Sequence, residues 1–142
     1  MDELLAYAYL MSIGLDVEEQ YENKLNELFV SHPENQDFFE LEILSGSIKK
    51  AVLYIYTHIN YADMDYNKFG KTLMFLLEPF YQTMNINRFS SLMYVLWEEL
   101  AGNLQDMEPF SVLRFADEPL FSYNDEKFTR ELYEKMLSYY NA

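Results

Sequence analysis

The chain has 142 residues, half of them hydrophobic and 18% aromatic, with four Gly, four Pro, no Cys and a formal net charge of −14. So much apolar surface excludes disorder, so few breakers exclude a sandwich or barrel of many short strands, and the missing cysteines exclude disulfides, thiolate metal sites and thiol nucleophiles. The charge disfavours nucleic acid and anionic lipid as partners and favours basic proteins.

Apolar periodicity and capping residues predict an all-α fold: a single-domain helical bundle of about seven helices over residues 1–142. The first helix, about 2–13, is rich in Leu, Ala, Tyr and Met and is ended by Gly14. The second, about 17–31, has Asp16 as its expected N-cap with Glu19 three residues on, and Val17, Tyr21, Leu25, Leu28 and Phe29 as its apolar stripe. His32-Pro33 stops it, because the residue before Pro leaves the α region. The third, about 34–44, turns Phe38, Leu41 and Leu44 inward. Ser47 caps the fourth, about 48–60, where Ile48, Ala51, Val52, Ile55 and Ile59 keep helical spacing.

The fifth helix, about 64–84, is capped by Asp63 or Asp65 and presents Tyr66, Phe69, Leu73, Leu76, Leu77, Phe80 and Met84; Pro79 is expected to kink it or end it early. The sixth runs from Asn87 to about Leu104, with Phe89, Leu92, Met93, Leu96, Trp97 and Leu100 inward. These two have the longest apolar faces and are expected to be central. Pro109 and Asp117-Glu118-Pro119 mark an irregular stretch with one short helical turn around 109–115. The seventh helix, about 125–140, is capped by the Ser122-x-x-Asp125 box or by Asn124 and points Phe128, Leu132, Met136, Tyr139 and Tyr140 at the core.

Motifs that carry chemistry are missing. There is no Gly-x-Gly-x-x-Gly, no phosphate-binding loop and no His-Glu-x-x-His. His32 and His58 are read as a loop histidine and a histidine stabilising a helix C-terminus. Asp63-x-Asp65-x-Asn67 resembles the opening of a calcium loop, but Lys68 and Met74 stand where Gly and the bidentate Glu belong, so capping is the better reading. No catalytic, cofactor-binding or metal-binding residue is assigned, and no cofactor is expected. The N-terminus opens on acids and no apolar run approaches the length of a membrane span, so a cytoplasmic protein that binds no membrane is expected.

The charge itself is uneven. Residues 1–46 hold eleven acids and one base, Lys24; residues 47–97 are nearly neutral; residues 98–142 hold ten acids and four bases. Glu18 and Glu22 lie four apart on one helix, a spacing that costs about 0.2–0.5 kcal/mol for like charges. With Glu27, Asp37 and Glu40 they form one candidate partner-binding face. The second candidate is Asp117, Glu118, Asp125 and Glu126 around Phe121 and Tyr123, an aromatic anchor with a charged rim.

In size, charge, helicity and lack of catalytic signatures the chain is similar to the small acidic helical proteins that bacteria make against toxins, the immunity proteins, and to some phage-encoded inhibitors. That resemblance covers no particular stretch and carries over no residue. It implies a non-catalytic inhibitor that neutralises a basic toxin such as a nuclease. The alternatives are an acidic surface that imitates nucleic acid, a structural or accessory helical domain, and an enzyme working through carboxylates.

Overall fold

The computed structural model describes residues 1–141. They form nine α-helices and three short 3-10 turns, with no strand among them. The all-α class therefore holds, and the expected count of about seven is corrected to nine. None of the described helices is long and apolar enough to cross a membrane. The chain divides into two compact units, residues 1–69 and the remainder from Gly70.

The first unit holds α1 (Asp2–Ser12), α2 (Glu18–Ser31), α3 (Gln36–Ile43), α4 (Ile48–His58), a 3-10 turn at Tyr61–Asp63 and the start of α5 (Tyr66–Thr83). Its most buried element is α1, where seven consecutive residues from Leu4 to Leu10 are buried. A helix apolar on every side belongs inside a core. Within the first unit α1 packs against both α4 and α2. Gly14, at φ +89°, follows it in a left-handed conformation that other residues avoid.

Helix α2 starts at Glu18, and the residue at its N-cap is Val17, with no side-chain cap bond, not Asp16. Both Leu15 and Val17 are buried. Burying two such side chains is worth about 1.5–3 kcal/mol each, more than the roughly 1 kcal/mol of a cap. Side-chain caps do form at other helices: the Phe38 amide donates to Asn35 Oδ1 (3.2 Å), the Lys50 amide to Ser47 Oγ (3.4 Å) and the Lys68 amide to Asp65 Oδ1 (3.0 Å). Asp65, not Asp63, therefore caps α5; Asp63 instead accepts from Asn60 Nδ2 (2.9 Å).

The second unit contains the rest of α5, α6 (Ile86–Glu99), α7 (Gly102–Gln105), a 3-10 turn at Phe110–Arg114, α8 (Glu118–Tyr123), α9 (Glu126–Leu137) and a last 3-10 turn at Tyr139–Asn141. Helix α5 does not end early at Pro79 but runs on to Thr83. Pro79 and Phe75 are both exposed, so the Phe75 carbonyl that loses its amide partner is on the solvated side. Gly70 is buried, and a methyl group there would overlap the Tyr140 phenol, so only glycine fits. The cost of a helical Gly, about 1 kcal/mol, is offset by the ring that packs into its place.

The predicted sixth helix is two helices. Leu100 and Ala101 are extended, with ψ of 140° and 145°. The break buries Leu104 and lets Trp97 Nε1 donate to the Gln105 carbonyl (3.1 Å) while Gln105 Nε2 donates to the Trp97 carbonyl (3.0 Å). Helix α8 is the other addition. Pro119 opens it rather than breaking it, because a first-turn residue has no amide bond to lose.

The buried face of α9 is Thr129, Tyr133, Met136 and Leu137. Phe128 and Tyr139, expected inside, are exposed. The Leu120 amide donates to Thr129 Oγ1 (3.0 Å), which brings that face inward. Tyr133 then meets Phe89 edge-on at 5.1 Å and Tyr81 at 6.3 Å. Of the residues expected to face inward on the fifth and sixth helices, Leu73, Leu76, Leu77 and Leu96 are buried, while Phe80, Leu92 and Trp97 are half-buried.

Candidate functional site

The α8–α9 hairpin is held by a dense set of local bonds. Asn124 adopts a left-handed conformation (φ 53°, ψ 33°) after α8. Its amide donates to the Leu120 carbonyl (3.1 Å) and the Asp125 amide to the Pro119 carbonyl (2.9 Å), which satisfies the helix end. Asp125 Oδ1 then accepts from the Phe128 amide (3.0 Å) and caps α9. Arg130 Nε donates to Glu126 Oε2 at 2.8 Å and its guanidinium lies over the Tyr81 ring at 5.7 Å.

On this frame Phe121 is 51% exposed and Tyr123 77% exposed. Phe115 and Phe128 are exposed as well. Glu118 and Glu126 are exposed acids on the same two helices. Asp117 is different: half-buried, its carboxyl is pushed up from the ordinary value by burial, with Glu118 adding to the shift. The six residues read from sequence here therefore split by role. Phe121, Tyr123, Glu118 and Glu126 reach solvent, Asp125 builds the turn, and Asp117 sits at the start of α8.

The other candidate residues lie on α2 and α3 of the first unit. Glu18 and Glu22 are exposed on α2. Glu27 is exposed too and lies 3.5 Å from Lys24, whose ammonium is closer still to Glu3, at 3.1 Å. Asp37 is half-buried and accepts the Tyr54 hydroxyl (2.9 Å), fastening α4 to α3. Glu40 accepts from Gln36 Nε2 (2.8 Å). Asp37 and Glu40 both act on Tyr54, whose phenol is pushed up to about 12 by burial and by these carboxylates. Burial pushes the Tyr21 phenol up to about 12, and the charges of Glu42 and Glu22 add to the shift.

Both histidines are exposed. His58 lies in the last turn of α4, as read, with its ring stacked 3.8 Å from that of Tyr54. His32 lines a cleft of about 190 Å³ in the first unit with Asp2, Glu3, Phe38 and Lys68. Glu3 is the carboxylate already held by Lys24 there. Among the described residues no three of His, Asp and Glu stand close enough together to hold a metal ion.

Of the residues that are exposed and that the sequence reading did not single out, Phe128 lies in a periodic pattern that also fits a core face, whereas Phe39, Ile43 and Phe115 lie off the inward stripes and carry no motif that marks them. No family model, no curated protein and no solved structure matches the chain.

Proposed function

We propose that this protein is a non-catalytic, acidic protein-binding inhibitor of the immunity type, which neutralises a basic toxin such as a nuclease from the cytoplasm of a bacterium. The observation that supports this reading is the pair Phe121 and Tyr123, large and exposed on a hairpin stiffened by its own caps. A rigid aromatic anchor loses little conformational entropy on docking, and Tyr is enriched at binding hot spots. Glu118 and Glu126 supply a rim that complements a basic cleft, and the exposed acids of α2 supply long-range attraction.

The two regions act at different steps. Charge on α2 works before contact and is screened within about 8–10 Å at ordinary salt. The aromatic anchors work after contact. A basic partner captured on the full chain is therefore tested against two sets of variants by stopped-flow kinetics across salt. Reversing Glu18, Glu22 and Glu27 to Lys should slow association and flatten its salt dependence. Tyr123→Ala or Phe121→Ala should instead speed dissociation. Stoichiometric loss of the partner's activity completes the expected result. A captured partner that is not basic, or binding indifferent to both sets, defeats the proposal. The alternative rests on Glu18 and Glu22, whose exposure on one helix also suits imitation of a nucleic-acid backbone; it would show as competition between DNA or RNA and this chain for one partner site.

A further inference from the structure

We propose that the outer face of α3 is a second docking site, and that its occupant is a basic amphipathic helix of another protein. Phe39 is 46% exposed and Ile43 62% exposed. Four residues apart, they lie one above the other on the same face of α3. The Phe29 ring of α2 stacks on Phe39 at 6.3 Å and extends the apolar surface onto α2. This crest has carboxylates on both flanks: one and three residues after Phe39 at about 100° per residue, Glu40 and Glu42 fall on opposite sides of the Phe39–Ile43 line, both half-buried. The nearest base on α2, Lys24, is held by Glu3 and Glu27.

Exposing two large apolar side chains on a short helix gains nothing for folding. An apolar strip with acids on either side is the complement of a helix bearing an apolar stripe bordered by Lys or Arg. A helix suits it better than an extended strand, because α3 offers no edge of backbone groups to pair with and its i, i+4 ridge fits between the ridges of another helix. The site shares no residue with the α8–α9 hairpin, so it stands or falls separately from the function proposed above.

The probe is a synthetic amphipathic helix of Leu and Lys, about five turns long, titrated into the full chain by calorimetry. Any acidic protein attracts such a peptide, so the discriminating variant is Ile43→Asp. It removes the apolar side chain and adds negative charge. Docking on the crest predicts affinity weakened by about tenfold; attraction by net charge alone predicts unchanged or tighter binding, which would overturn the proposal. Ile43→Ser, which adds no charge, should weaken binding in the same direction should Asp unravel α3. Glu42→Lys should weaken it further. Tyr123→Ala should leave it unchanged, and loss of binding there would assign the peptide to the hairpin instead. A matching helix of Leu and Glu should not bind; if it does, charge complementarity fails and the proposal with it.

Discussion

On α2, Glu18 and Glu22 stand exposed four residues apart, while in the α8–α9 hairpin Asp125 caps a helix, Glu126 pairs with Arg130 and Asp117 is half-buried. Both regions are acidic, yet the hairpin consumes part of its charge in holding its shape and α2 consumes little of it. The hairpin also carries exposed rings where α2 carries mainly polar residues. A count of carboxylates does not distinguish these situations. What distinguishes them is whether a carboxylate has a hydrogen-bond donor within reach, and that decides whether a substitution is felt by the fold or only by a partner.

The comparison predicts a large asymmetry in stability. Thr129→Val keeps the shape of a buried side chain but leaves the Leu120 amide without its acceptor. It should cost about 1–3 kcal/mol in denaturant unfolding and loosen the hairpin. A cost near zero would mean that the amide finds another acceptor and that the hairpin is not held as described.

A smaller effect is expected at Asp117, and its pH dependence gives the sign. Burial raises the folded carboxyl above its ordinary 3.8, so the folded state holds that proton more tightly than the unfolded chain does. The ionised group therefore costs stability at neutral pH, and the cost fades as pH falls through the folded value toward 3.8. Asp117→Asn should stabilise the protein at neutral pH, with the advantage closing in acid. An advantage that is constant with pH would point to a packing effect and not to charge.

The smallest change belongs to α2. Glu22→Gln relieves the repulsion with Glu18 and should raise stability by about 0.2–0.5 kcal/mol at low salt, less at high salt. If it instead costs as much as Thr129→Val, then α2 uses its charge structurally and the contrast between the two regions disappears.

Much of the helical layout was legible in the residues. Leu73, Leu76 and Leu77 mark a stripe that the structure buries, and Ser47 caps α4 as its spacing implied. The errors have specific causes. Pro119 looked like a breaker because position within a helix is invisible until the helix is known, and in the first turn Pro breaks nothing. The stripe of α9 was read one residue off, since Phe128 is the more apolar residue and Thr129 the more useful one inside. In α1 the unbroken apolar run from Leu4 to Leu10 has no period for pattern reading to follow.

What the sequence determined by itself was whatever depends on neighbours a few residues away: the all-helical class, most helix ends and the sign and distribution of charge. Helical hydrogen bonds, caps and i, i+4 spacing are local, so local order in the chain specifies them. The tertiary structure alone decided which apolar residues stay in water. Phe39, Ile43, Phe121 and Tyr123 are no less hydrophobic than the side chains buried beside them. They are exposed because each helix buries only one face, and which face is set by distant partners such as the Tyr54 hydroxyl on Asp37 and the Leu120 amide on Thr129.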